Sequence, residues 1–309
     1  MTDDLYIDGR NACETWGVYV TDGGYKELAG FPPLKEPEKN DWWEDDGEEA
    51  DLSAPRLDTR EVTLKTACCG GDMDGFLAFL NKGAYHTVTS KALGRSWNLR
   101  YTKQASLEYC GGLYVLALKF AEDDPLAGYV YAAPSGASPG STGFSLDGKD
   151  LADYGVHILS GSLASVLAVP EVKSNLLRNI KSLQGAQYDG KKVRYKSKEI
   201  RLSCLMRAAD MAELWRNRDA LLYDLTRPGA RTLGVDALGR AFECHYSKST
   251  VEEFLADGRP WLKFSLNLTA IGGLRSELVE VYLAAENGSY IVSEEGNYIT
   301  IDILDNGRE

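Results

Sequence analysis

The chain has little of what most often carries chemistry. Its 309 residues include three histidines, six cysteines and four methionines. His86, His157 and His245 share no spacing, so each reads as a hydrogen-bonded strand residue rather than a ligand or base. The cysteines, Cys13, Cys68, Cys69, Cys110, Cys204 and Cys244, form no C-x-x-C pair and no zinc-ribbon spacing. Cys68 and Cys69 are adjacent, and disulfide geometry is hard to reach across one peptide bond. They read as reduced thiols used as small apolar residues. There is no G-x-S-x-G elbow, no G-x-x-x-x-G-K-[ST] loop and no H-E-x-x-H pair. The longest good apolar run, Leu113 to Leu118, is far short of the ~18 residues a membrane helix needs. The acidic start, Met1 to Asp4, lacks the basic and apolar regions of a signal peptide, so the expected compartment is a cytosol. Basic charge is also short: 34 Lys and Arg against 46 Asp and Glu give −12, which argues against a general nucleic-acid binder.

What is present is globular. Hydrophobic residues make up 44% and charged residues 26%, enough to bury a core, and the length suits two domains. The charge is uneven. Residues 1–143 hold 23 acids and 13 bases; residues 144–309 hold 23 and 21. Glu36 to Asp51 concentrates nine acids against one lysine around Trp42 and Trp43. That run lacks the order of an EF-hand loop and reads as a solvated loop held down by its two tryptophans.

The sequence is internally repeated. Asp8-Gly9 returns as Asp147-Gly148, and Trp16-Gly17-Val18 as Tyr154-Gly155-Val156. Arg60-Glu61-Val62-Thr63-Leu64 returns as Lys198-Glu199-Ile200-Arg201-Leu202, 138 residues on. At that same offset Asp72 answers Asp210, Phe76 answers Leu214 and Tyr85 answers Tyr223. Gly94 to Trp97 answers Gly239 to Phe242, and Leu113 to Phe120 answers Trp261 to Leu268. The repeated residues are turn, strand and cap types, which points to a scaffold rather than an enzyme. Four segments are expected: a first module at 1–121, a Pro/Gly/Ser linker at 122–143, a second module at 144–271, and a C-terminal tail at 272–309.

Each module reads as α+β, mostly β. An Asp-Gly turn leads into an aromatic-Gly-Val strand. Insertions follow at 25–59 and 163–197, expected to project as loops or hairpins. Then comes an alternating strand, with Val62, Leu64 and Thr66 on one face and Ile200, Leu202 and Cys204 in its counterpart. A helix capped by Asp72 or Asp210 comes next. In the tail, Asn287-Gly288 and Glu295-Gly296 punctuate two Tyr-Ile runs and predict a small β-meander.

The order Asp-Gly, aromatic-Gly-Val, long loop, basic-Glu-β-x-Leu, helix and Tyr resembles the opening module of phage distal tail proteins, in the tail-tube-like family. Asp147-Gly148-Lys149, Asp153 to Val156, Ser197 to Leu202 and Leu222 to Leu225 carry the likeness best. It covers roughly 240 of the 309 residues, and its motifs are short. The resemblance implies two β-sandwich modules, each flanked by a helix, assembling side by side into a ring through which DNA passes. It implies no catalysis, and no cofactor or metal is expected. Distal tail proteins usually carry this module once. Two per chain is closer to baseplate hub proteins. That favours a homotrimer with pseudo-sixfold symmetry over a homohexamer, in contact with other tail tube and baseplate proteins in the virion tail and assembled in the host cytoplasm. Trp42, Trp43, Asp45 and Asp46 are the candidate assembly loop. Two other readings remain at this level: a carbohydrate-binding β-sandwich using Trp42, Trp43 and Trp97 as stacking surfaces, and a cell-wall hydrolase using paired carboxylates.

Overall fold

The computed structural model describes residues 5–136, 140–173, 177–188, 193–271, 281–282 and 300–301. The first half contains β1 (Leu5–Ile7), β2 (Arg10–Asn11), α1 (Ala12–Trp16), β3 (Val18–Val20), β4 (Lys39–Asn40), β5 (Glu49–Ala50) and β6 (Arg60–Cys69). It continues with α2 (Met73–Leu80), β7 (His86–Ser90), β8 (Arg95–Cys110) and β9 (Leu113–Glu122). The second half contains β10 (Phe144–Leu146), β11 (Lys149–Asp150), β12 (Val156–Ile158), α3 (Ser162–Leu167), β13 (Leu177–Arg178) and β14 (Gln187–Tyr188). It ends with β15 (Glu199–Arg207), α4 (Met211–Leu225), β16 (Arg231–Val235), β17 (Arg240–Leu255) and β18 (Trp261–Ala270). The molecule is α+β and mostly β.

Two seven-stranded antiparallel sheets form, and they share one order. The first runs β2-β1-β7-β8-β9-β6-β3 and the second β11-β10-β16-β17-β18-β15-β12. In both, the longest strand changes partner along its length. β8 pairs β7 over residues 95–99 and β9 over 100–110. β17 pairs β16 over 240–244 and β18 over 244–255. Each long strand carries two register shifts against its later partner, at Tyr101/Lys103 and Gln104/Ser106, and at Tyr246/Lys248 and Val251/Glu253. Bulges bend a strand and increase its twist.

Alternation decides what is buried. Val62, Leu64 and Thr66 are buried, as are Ile200, Leu202 and Cys204, while Glu61 and Glu199 face out. The helices start where the sequence places them. Asp72 accepts from the Gly75 amide and Asp210 from the Glu213 amide, each at 2.8 Å, removing an unpaired donor from the first turn. α4 has fifteen residues against eight in α2, and those seven extra residues raise the offset between matching positions from 138 to 145. Tyr85 and Tyr223 are therefore not counterparts. Tyr85 precedes β7 and donates to Asp123, whereas Tyr223 lies inside α4 and packs at a tilt against Tyr129 and Tyr131.

The residues joining the halves are tied down. The Tyr131 hydroxyl donates to Asp224, the Ser135 amide to the Asn217 side chain, and the Gly136 amide to the Asp153 carbonyl. In the tail, Val281–Tyr282 (β19) pairs antiparallel with Thr300–Ile301 (β20). The Asn287-Gly288 and Glu295-Gly296 turns lie outside the described residues.

Candidate functional site

The repeated signature residues hold the scaffold. Asp8 and Asp147 both sit at positive φ, 50° and 51°, followed by Gly9 and Gly148 at 77° and 80°. Positive φ at both central residues is the backbone of a tight type I′ hairpin turn. Each aspartate then reaches the strand alongside. Asp8 accepts from the Thr87 amide at 2.8 Å and faces the His86 ring at 2.7 Å. Asp147 accepts from the Thr232 amide at 2.8 Å and pairs with Arg231 at 2.7 Å. Gly17 and Gly155, at φ 69° and 67°, end the short helical turns before β3 and β12. A Cβ on Gly17 would lie 2.9 Å from the Gly71 Cα, and one on Gly155 would lie 2.5 Å from the Arg207 carbonyl oxygen. Val18, Val156, Leu64 and Leu202 are core residues, and Glu61 pairs with Lys119 at the surface.

The contacts with most chemical content lie between the halves. Residues 28–34 of the first half lie on the second. Phe31 meets the Phe264 ring at 5.1 Å, with the Arg218 guanidinium 5.0 Å from the Phe31 centroid. Arg218 also donates to the carbonyls of Ala29 and Gly30 and pairs with Asp219 at 2.6 Å. Tyr246 donates its hydroxyl to the Pro32 carbonyl at 2.8 Å, and the Leu34 amide donates to the Ser247 carbonyl. From the other side, α4 meets the β7–β8 turn. Trp215 donates to the Leu93 carbonyl at 2.6 Å, its ring packs edge-on to Trp97 at 5.8 Å, and Arg95 pairs with Asp219 at 2.7 Å.

The acidic loop completes this joint. The Lys173 ammonium, with its side chain 7% exposed, donates to Asp41 and to the carbonyls of Trp42, Asp45 and Gly47. Asp46 accepts from the Tyr195 amide at 2.9 Å and lies 3.5 Å from Arg194, and the Gly47 amide donates to the Tyr195 carbonyl. Carbonyl oxygens aimed at a buried ammonium replace the water it gave up.

Two expectations about this region change. Trp42 and Trp43 are not buried anchors: their rings are 54% and 69% exposed, Trp42 bonds to Glu49 within the same insertion, and backbone carbonyls with Asp41 and Asp46 hold the loop to the second half. Nor is the first insertion wholly projecting, since Leu28, Ala29, Phe31 and Leu52 are buried. Asp45 serves the loop through its carbonyl, not its carboxylate.

Sequence reasoning missed that the insertions are themselves repeated. The signal was Phe31-Pro32-Pro33-Leu34-Lys35 against Val169-Pro170-Glu171-Val172-Lys173, again at 138. The bridge Leu34↔Leu57 matches Val172↔Tyr195, and the hairpin β4–β5 matches β13–β14 at the same offset. Arg60 and Lys198 also correspond. Both are buried, the first bonded to Glu122 and the carbonyls of Glu27, Leu28 and Gly30, the second to the Val166 carbonyl. Burial pushes Arg60 down to about 10, with Glu122 opposing, and pushes Lys198 down as well.

Among the described residues, no cluster of His, Cys, Asp and Glu could hold a metal ion. Trp97 is buried against Trp215, so it offers no stacking surface. A cleft lined by Tyr85, Ser96, Glu122, Asp123 and Tyr129 is occupied at its edge by ion pairing: Arg100 holds Asp123 through two hydrogen bonds of 2.6 and 2.8 Å. Cys68, Cys204 and Cys244 are buried free thiols, and burial pushes Cys244 up to about 12.

No family model and no curated protein matches the chain. Among solved structures, the chain is similar to the Dit protein of phage SPP1, described as a paradigm of the hub adsorption apparatus in phages infecting Gram-positive bacteria. The identity is 12%, the TM-score 0.30, and the match covers 86% of this chain and 97% of the other.

Proposed function

We propose that the chain is a structural ring component of a phage or prophage tail, of the distal tail or baseplate hub kind, and not an enzyme. The observation that carries this reading is the joint between two halves of one topology. It is heterologous: residues 28–34 and the acidic loop of the first half meet different surfaces of the second. Repeating a heterologous contact generates rings when the rotation closes. The tail-type motifs support the same reading, and the net charge of −12 suits a channel that DNA crosses without sticking. Three chains would contribute six halves to one ring, with further tail and baseplate proteins above and below. Cryo-electron microscopy of the assembled protein tests this. Three chains per layer is the expected result, six per layer would replace the trimer by a hexamer, and the absence of any closed ring would sink the reading.

The exposed pair Trp42 and Trp43 favours one alternative, a glycan-stacking surface. Glycan-array binding that is lost in Trp42→Ala/Trp43→Ala would establish it.

A further inference from the structure

The inner joint uses one half of each contact that the repeat provides twice, and its counterparts stand open. Loop 41–47 has a counterpart at 179–185. The Asp45 amide bonds to the Trp42 carbonyl, as the Leu183 amide does to the Ile180 carbonyl, and Gly47 and Gly185 share positive φ at 72° and 76°. The three carbonyls that hold Lys173 thus recur as those of Ile180, Leu183 and Gly185. That loop is exposed throughout. The counterpart of Lys173 is Lys35, which is exposed and whose ammonium has no hydrogen-bond or ion-pair partner among the described residues. The counterpart of Arg194 is Arg56, exposed beside Lys35, whose amide bonds to the Arg56 carbonyl as Lys173 does to Arg194.

The apolar part of the joint behaves alike. Ala29 and Phe31 are 0% and 3% exposed under the second half, whereas their counterparts Leu167 and Val169 are 58% and 77% exposed. Tyr246, which donates to the Pro32 carbonyl, corresponds to Tyr101 on β8, and Pro32 corresponds to Pro170.

We propose that the second half docks head-to-tail on the first half of another copy of this chain, with Lys35 of that copy seated in the carbonyls of Ile180, Leu183 and Gly185. Val169 and Pro170 then cover the strand around Tyr101, as Phe31 and Pro32 cover Tyr246. The proposal deepens the ring reading by naming the outer contact. It also sets its strength. In loop 179–185 the two carboxylates of the inner joint, Asp41 and Asp46, are replaced by Asn179 and Gln184, so the outer contact keeps the carbonyls and lacks the acids. Lys181 stands where Trp43 does, at a position the inner joint leaves exposed.

Sedimentation of the full chain over a concentration series tests this. Asn179→Asp with Gln184→Asp restores both acids and should tighten self-association about tenfold, the effect of a charge-assisted hydrogen bond. Adding Lys35→Met and Arg56→Met, which removes the basic partners of both acids, should remove that gain, and Val169→Asp in the parent chain should weaken association. All these positions are exposed, so folding is checked simply by circular dichroism. If the double variant gains nothing, or the gain survives Lys35→Met with Arg56→Met, the contact is wrong. Closed rings that form equally well in every variant would overturn the contact and leave the ring reading in place.

Discussion

The two insertions share a backbone plan and differ in what covers them. In the first, Phe31 is buried between Phe264 and Arg218, and its acidic loop closes over Lys173. In the second, Leu167, Val169, Val172, Leu177, Ile180 and Leu183 are exposed. Sequence follows surroundings. Where a second half is always present, the positions have become aromatic, charged and paired. In the second, the counterparts of Ala29 and Phe31 are the aliphatic Leu167 and Val169, and those of Asp41 and Asp46 are the uncharged Asn179 and Gln184. One copy of the repeat is fitted to the neighbour within the chain, and the other leaves an aliphatic face exposed, as an interaction surface does.

The strongest way to break the comparison is to truncate matching side chains. Phe31→Ala should lower unfolding stability by about 3–5 kcal/mol, because a cavity opens between the halves. Val169→Ala, at the matching exposed position, should stay within about 0.5 kcal/mol. Chemical denaturation of the monomer measures both, and equal losses would refute the distinction. The lysines come next. Lys173→Met leaves three carbonyls without their donor and should cost about 2 kcal/mol, with faster proteolytic cleavage inside residues 41–47. Lys35→Met should leave both readouts of the monomer unchanged.

The smallest effect sharpens the contrast through pH. His245 on β17 corresponds to Arg100 on β8. His245 is buried, and desolvation lowers its pKa below the ordinary 6.5. The folded state therefore binds fewer protons than the unfolded chain, and stability falls as pH drops from about 6.5 toward the lowered value. Arg100, by contrast, bonds to Asp123, and with Tyr85 and Thr59 it holds that carboxyl down to about 2. A depressed carboxyl contributes stability above its unfolded value of 3.8, and the contribution disappears as pH falls toward 2. Thermal melts from pH 7 to 5 should flatten in His245→Gln, whereas Arg100→Met should alter the profile only below about pH 4.

Much of the scaffold was legible because it rests on local rules. Alternation at Val62, Leu64 and Thr66 fixes a buried face, Asp72 and Asp210 cap helices, and Asp8-Gly9 permits few turns other than the one it makes. The pairing of Tyr85 with Tyr223 failed because helix length is set by packing. α4 continues for two turns along the joint, and a constant offset cannot register that. The five-residue turn between β17 and β18, against Gly111-Gly112 between β8 and β9, shifts the offset again, to 148. The Lys173 site was illegible for another reason. Its acceptors are carbonyls, which every residue carries, so no side-chain pattern announces them. Only the recurrence of Pro-x-β-branched or Leu-Lys hinted at it.

The segment between the halves has a mechanical consequence. Fastened at Tyr131, Ser135 and Gly136, it has surrendered the reach of a tether. A flexible tether sets how often two bodies meet; a fastened one sets where they sit. At Gly136 the fit is tight enough that a Cβ would lie 2.1 Å from the Gly155 nitrogen, so any side chain there would pry this segment off the short helical turn that Gly155 ends. Lengthening this segment would act by undoing those fastenings, not by widening the distance the halves can span.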